Sequence, residues 1–383
     1  MTTSPNATAI SEVLKGQNTC LSKQKPAIDH LAFANQPSFE LSALPKTRFY
    51  GSKRRLASWL HEAFSTLRFQ NCLDAFGGTS TVSLLFKAMN KDLTFNDALT
   101  SNSLSAKALL SNSPVKLNNL ILDSYTSCEQ KEGGKIHRLF KDFFFTDSEN
   151  IWLDSFVLAT KNETDPLLYA EIYYCLFQAC LQKRPFNLFH RKNLNIRTNC
   201  TRQTKFGNWR TWERGFDELM SRALLDLEKS RKIKNGTVDF LDSMDASDIK
   251  PGYDLVYLDP PYVAQNSNEL TYMDRYHFLE GLLDYDNWEN RIDHSRKSKP
   301  IFSGKPLTEW NKKDSFKDRL YSLIDAHKQT TVALSYLCDA YPDQDDLVRY
   351  FKSKFKNVVI FSQIIPHALS KKEKIEILIV GIN

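Results

Sequence analysis

The stretch Tyr253–Val263, YDLVYLDPPYV, joins an apolar run to an acid, two prolines and an aromatic residue. An amine attached to a heteroaromatic ring is a poor nucleophile, because its lone pair is delocalised into the ring. Two acceptors placed on its hydrogens, the Asp259 carboxylate and the Pro260 carbonyl, would draw the nitrogen towards a tetrahedral geometry and aim the lone pair at an electrophile. Pro260 and Pro261 fix φ, so such acceptors are oriented before a ligand arrives. Tyr262, just past the rigid turn, is placed to stack on the ring. A simple strand stop uses prolines too, so the chemistry needs partners elsewhere in the chain.

The first partner is the glycine turn DAFGGTS, Asp74–Ser80, where backbone approaches a ligand without a side chain in the way. Asp97 stands 20 residues after Gly77, at the end of the next strand-like run, a position from which an acid accepts hydrogen bonds from ribose hydroxyls. A tight strand-to-helix turn followed by a helix cap has the same appearance, and the turn lacks the full G-x-G-x-x-G pattern.

The second partner is a basic run. Between Leu181 and Arg210 stand Lys183, Arg184, Arg191, Lys192, Arg197, Arg202, Lys205 and Arg210, with no Asp or Glu. This local charge of +8 exceeds the +6 of the whole chain. Phe186, Phe189, Phe206 and Trp209 are interleaved, with Asn and Gln side chains suited to base edges. A solvated basic face is the ordinary meaning of a charge run; the complete absence of acids favours a phosphate backbone.

Other chemistries find little support. The seven cysteines (20, 72, 128, 175, 180, 200 and 338) are odd in number, scattered and without C-x-x-C, which favours reduced thiols over disulfides or zinc. No metal site is expected. His190 and His277 read as structural histidines. The opening MTTSPNATAI lacks a basic, apolar leader, and no run reaches the roughly 18 apolar residues of a membrane span. A cytoplasmic protein without membrane contact is expected.

These residues must be positioned by a fold. NCLDAF (71–76), DLTFND (92–97), NGTVDFLD (235–242), YDLVYLDPPY (253–262), TTVALSYL (330–337), NVVIFS (357–362) and EILIVGI (376–382) read as strands. Helical spacing follows Ser52 and Gly78, and recurs over 165–181 and 344–355. Strands alternating with helices predict a doubly wound, mostly parallel α/β sheet. Asp74 and Asp259 are 185 residues apart, about twice what three strand–helix units of ~30 residues need. The surplus implies an inserted, mainly helical, basic subdomain. Four segments are therefore expected: an extension over 1–44, a cofactor-side half over 45–125, an insertion over 126–225 and a catalytic half over 226–383. Residues 264–305 read either as a flap or as a surface loop followed by a helix.

Taken in order, YGSKR (50–54), DAFGGT (74–79), ND (96–97), VDF (238–240) and DPPY (259–262) resemble the motifs of the Dam-like, alpha-ordered DNA adenine-N6 methyltransferases, and FNLFHRKNL (186–194) resembles a segment of one branch. The resemblance runs from about Phe49 to the C-terminus. It implies the methyltransferase form of the sheet, with the basic insertion as the target-recognition domain. It also implies S-adenosylmethionine as cofactor and an adenine flipped out of double-stranded DNA as substrate. A restriction–modification setting with a cognate endonuclease is the implied context.

Carried over residue by residue, Tyr50, Gly51 and Lys53 would lie against the cofactor, and Asp74, Phe76, Gly77 and Gly78 would cradle its methionine part. Asp97 would hold the ribose. Asp239, with Asp242 as competitor, would bind the cofactor adenine beside Phe240, and Asp259, Pro260, Pro261 and Tyr262 would hold the target base. Methylation of cytosine N4, rRNA guanine or protein glutamine, or an inactive DNA-binding scaffold, are the alternatives. Asp rather than Ser or Asn before the prolines favours adenine, and the large basic insert favours DNA.

Overall fold

In the computed structural model, residues 42, 44–46, 49, 51–127, 132–199, 207–241, 243–263, 270–302, 307, 309–365 and 374–383 are described. Tyr50, Arg202, Lys205 and Asp242, and nearly all of the expected extension, fall outside them.

The seven strand-like runs all form strands: β1 (Asn71–Asp74), β2 (Asp92–Phe95), β3 (Val238–Phe240), β4 (Leu255–Leu258), β5 (Thr331–Leu337), β6 (Asn357–Ile365) and β7 (Lys374–Ile382). They make one sheet in the order β3-β2-β1-β4-β5-β7-β6. Pairings through β5 are parallel, and β7 runs antiparallel between β5 and β6. Successive side chains alternate between faces. Cys72, Leu255 and Tyr257 join one apolar layer, whereas Leu73, Val256 and Leu258 join the other. Every residue of β4 is buried, as a central strand covered on both faces requires.

The helices are α1 (Ala57–Ser65), α2 (Thr81–Ala88), α3 (Thr100–Leu110), α4 (Asn119–Thr126), α5 (Lys135–Phe140), α6 (Asp147–Thr160), α7 (Pro166–Lys183), α8 (Leu194–Thr198), α9 (Trp209–Trp212), α10 (Phe216–Ser230), α11 (Tyr272–Leu283), α12 (Lys313–Ala326) and α13 (Gln344–Lys354). The segment expected as an insertion is helical, but it does not close on a core of its own. Helix α7 is buried along most of its length and packs on α3 and α10. Its apolar residues join the same layer as α1, α2 and one face of the sheet. Helix α10 also runs through the expected border at residue 225.

Within the segment read as a flap or loop, Thr271 and Asp274 form a capping box that starts α11, and nine of its residues are buried. That stretch is a core helix. Its Glu280 accepts hydrogen bonds from the backbone N–H groups of Thr100 (3.2 Å) and Ser101 (2.7 Å), satisfying orphan donors at the start of α3.

Candidate active site

Strands β1 and β4 are parallel neighbours at the point where the strand order reverses, so a crevice opens at their carboxyl ends. A cleft of about 830 Å³ lies there, reached by the turn after β1, the turn after β4, residues 49 and 51–53 and the 244–246 segment. Nine predicted site residues line it: Gly51, Lys53, Asp74, Phe76, Gly77, Gly78, Asp97, Asp259 and Pro261.

The glycine turn is held in three places. The Gly77 N–H donates to the Asn96 carbonyl (2.8 Å), and the Ser80 N–H donates back to the Gly77 carbonyl (2.8 Å). Any Cβ at Gly77 would meet the Phe95 ring at 2.0 Å, so this position excludes every other residue. Gly78 adopts φ +49°, and its N–H donates to Asp97 Oδ2 at 2.8 Å. Asp97 Oδ1 accepts from the Leu99 N–H (2.8 Å) and from Asn102 (3.1 Å). Asp97 thus ties the turn to the start of α3 while facing the cleft. Burial pushes its carboxyl up to about 6, against the pull of those donors.

Asp74 is buried at the end of β1. Ser83 donates to its Oδ2 at 2.6 Å, while Oδ1 is buried without a partner. Burial pushes this carboxyl up to about 7, opposed by the Ser83 hydrogen bond and supported by the charges of Asp259 and Asp97. An unpartnered acceptor in a cleft wall suits a cationic ligand group.

Across the crevice, Lys53 is buried at the start of a short 3₁₀ turn capped by Ser52. Its Nζ lies 2.7 Å from Asp259 Oδ1 and 2.5 Å from the Tyr262 hydroxyl, with Glu376 Oε1 at 3.4 Å. Burial lowers the Lys53 pKa, but the Asp259 and Glu376 carboxylates outweigh it and hold the value above its ordinary one. Asp259 is raised, chiefly by burial, with Lys53 opposing and Glu376 adding to the shift. The Tyr262 ring packs edge-on against Tyr336 at 5.2 Å. Lys53, assigned from sequence to the cofactor, therefore belongs equally to the Asp259 cluster.

The structure departs from the expectation for Asp239. Its side chain is exposed on β3, and neither it nor Phe240 lines the cleft; Phe240 packs on Phe95 at 6.1 Å. The cleft-lining acid from that part of the chain is Asp245. It accepts from Trp310 Nε1 (2.9 Å) and the Ser247 N–H (3.1 Å) and pairs with Arg319. Trp310 in turn packs edge-on against Phe76 at 5.1 Å.

The basic run divides. Lys183 is buried with Nζ 2.6 Å from Glu149, and Arg197 is buried against the same carboxylate. Arg184 is fully buried, donating to the carbonyls of Leu188 (3.2 Å), Phe144 (3.0 Å) and Arg191 (2.9 Å) and to Asn193. These three, expected on DNA, spend their charge inside the fold. Arg191, Lys192 and Arg210 are exposed, Lys192 with its ammonium 3.3 Å over the Phe143 ring. The acid missing from residues 181–210 is supplied by Glu149, from outside the run. His277 is buried, with Nε2 3.2 Å from the Phe189 carbonyl, and burial lowers it to about 4.

Sequence reading missed Glu376, Ser335, Glu280 and Asn96. Asn96 links Ala75 O (3.0 Å) to Met244 O (3.1 Å), joining two walls of the cleft. The trace left by Glu376 is a lone acid inside the apolar run KIEILIVGI. Among the described residues, no group of His, Cys, Asp or Glu is arranged to hold a metal ion, and no helix is long and apolar enough to cross a membrane.

A strand order of 3-2-1-4-5-7-6 with an antiparallel seventh strand, and a crevice where β1 meets β4, define an α/β methyltransferase. The model of the D12 class N6 adenine-specific DNA methyltransferases matches residues 49–332, and the chain belongs to that family. It is an adenine-specific DNA methyltransferase. No curated protein sequence matches the chain.

Proposed function

We propose that this protein transfers a methyl group from S-adenosylmethionine to the N6 amine of an adenine turned out of duplex DNA. The observation that carries the reading is the Asp259 carboxylate at the β4 edge of a cleft whose opposite wall is the Asp74–Gly78 turn. The unpartnered Asp74 Oδ1 and the turn that no Cβ fits suit the ammonium and carboxylate end of that cofactor. When bound, the cofactor supplies a methyl group on a positively charged sulfur.

The chain's own residues then act on the amine. Asp259 and the Pro260 carbonyl accept its two hydrogens, which localises the nitrogen lone pair and turns it towards the methyl carbon. Methyl transfer to a nitrogen held in this way would exchange the cofactor's S–C bond for an N–C bond and move the positive charge from sulfur to nitrogen. The nitrogen is left cationic and sheds one proton through Asp259 towards solvent. No strong base is needed, since that proton is acidic only after transfer. Tyr262 and Pro261 offer the faces on which the base stacks.

Inside a duplex the amine cannot reach Asp259, so the adenine must leave the stack, at a cost of a few kcal/mol. Among the described residues of the basic run, the exposed Arg191, Lys192 and Arg210 are those left to meet phosphates. Asp239 is exposed outside the cleft, and Asp245, which lines it, is the better placed acid for the cofactor adenine. Site-specific methylation of this kind is the protective half of a restriction–modification pair, which makes a cognate endonuclease the accompanying partner.

Incubation of the purified protein with tritiated S-adenosylmethionine and unmethylated genomic DNA tests the reading. Label is expected in N6-methyladenine at one short sequence. Label in cytosine, or none in DNA, overturns it.

A further inference from the structure

A buried carboxylate from the far end of the chain reaches the Asp259 cluster. Glu376 lies on β7, paired across from Leu337 of β5 and Gln363 of β6, and is 1% exposed. The family match ends at residue 332, so this acid lies beyond it. Glu376 Oε1 accepts from Ser335 Oγ (2.6 Å) and from the Tyr262 hydroxyl (2.7 Å), and it stands 3.4 Å from Lys53 Nζ.

A phenol has one proton to give. Tyr262 is 2.7 Å from Glu376 but 3.3 Å from Asp259, so the proton goes to Glu376 and the phenol oxygen is free to accept from Lys53 at 2.5 Å. Lys53 in turn donates to Asp259. Ser335, Glu376, Tyr262, Lys53 and Asp259 thus form one connected row, in which Glu376 accepts from Ser335 and Tyr262 while Lys53 donates to Tyr262 and Asp259. Its charges are one cation and two carboxylates, hence a net −1. Without Glu376 the remaining Lys53–Asp259 pair is neutral, and burying a neutral pair would be the cheaper arrangement.

We propose that Glu376 is a positioning residue for methyl transfer. It orients Tyr262 and Lys53 behind Asp259, and it gives the cluster the negative charge against which the cationic amine develops. The inference rests on the transferase reading above. An isolated structural role would need only the Ser335 hydrogen bond; a carboxylate aimed at the two residues that hold Asp259 goes further. Preorganised charge of this kind acts most strongly where water is excluded.

The groups facing Asp259 are Lys53 from the 3₁₀ turn, Tyr262 from its own turn, Glu376 from β7, Asp74 from β1 and Tyr257 from β4. The negative charge of Glu376 favours the protonated form of Asp259, so its removal must let Asp259 ionise at lower pH.

The experiment compares kcat against pH for the wild type, Glu376→Gln and Glu376→Asp, with cofactor affinity measured by calorimetry. Methyl transfer by the wild type is the control that tests the transferase reading separately. Glu376→Gln is expected to lower kcat about 10- to 100-fold, leave cofactor affinity within about threefold, and move the acid limb down by about one pH unit. Glu376→Asp, which keeps the charge, is expected to leave that limb in place. A Glu376→Gln limb that coincides with wild type, or an unchanged kcat, overturns the proposal while the transferase reading stands. If Glu376→Gln does not melt cooperatively, Tyr262→Phe replaces it, removing the proton that Glu376 accepts and keeping the ring. A several-fold loss of kcat then supports the proposal, and wild-type turnover overturns it.

Discussion

Lys53 Nζ lies 2.7 Å from Asp259 Oδ1, joining residues 206 positions apart across the mouth of the crevice. The ammonium is buried, and the two carboxylates around it keep it charged. Asp259 is therefore oriented by the N-terminal turn before any base arrives, and the cofactor side and the base side of the cleft share one side chain. Since Lys53 pulls the Asp259 pKa down, its removal must raise it. Lys53→Met is expected to lower kcat about 100-fold and to move the acid limb of the pH–rate profile upwards, opposite to Glu376→Gln. A limb that stays in place would remove Lys53 from control of Asp259.

Asp259→Ala deletes the acceptor itself. Loss of one oriented acceptor costs about 10²- to 10³-fold in rate, so single-turnover transfer should fall at least that far. Cofactor affinity, set mainly on the β1 side, should stay within about threefold. Turnover near wild type in this variant would sink the mechanism.

The cofactor side has its own pH signature. Asp74 is pushed up to about 7, so below that pH its carboxyl is largely neutral and has no charge for a ligand ammonium. Affinity for S-adenosylmethionine should therefore rise with pH through about 7 and level off above it. Binding near pH 6.5 should release a proton, visible in calorimetry as a dependence on buffer ionisation enthalpy. Asp74→Asn should abolish both effects and bind about tenfold more weakly, in line with loss of one charged hydrogen bond.

The divided basic run gives a contrast between two kinds of variant. Arg191→Ala with Lys192→Ala should weaken duplex binding and reduce the slope of log affinity against log salt by about two, with the melting temperature nearly unchanged. Glu149→Ala leaves Lys183 and Arg197 buried without their carboxylate, and removing one partner of a buried ion cluster costs about 3–5 kcal/mol. Its melting temperature should fall steeply. An unaltered salt slope in the first variant takes Arg191 and Lys192 off the DNA; an unaltered melt in the second contradicts the buried cluster.

Much of this protein is legible in the chain. Strand character, the glycine turn after β1 and the acid–proline turn after β4 follow from local rules: alternating β-branched runs, φ freedom at Gly78 and φ restriction at Pro260 and Pro261. The order of those motifs then fixes the sheet and places the cleft. What the chain alone cannot show is which charges turn inward. Arg184 and Arg191 look alike in sequence, yet one is wrapped by the carbonyls of Phe144, Leu188 and Arg191 and the other faces water. Lys183 and Arg197 are neutralised by Glu149, which precedes the basic run and meets it only after α6 and α7 pack. Asp239 is exposed while Asp245 is pinned in the cleft by Trp310 and Arg319, residues more than 60 positions away. Glu376 reaches Tyr262 across 114 positions because β7 inserts antiparallel beside β5. Local conformation is decided by neighbours along the chain. Burial and pairing of charge are decided by neighbours in space, and those exist only once the sheet has closed.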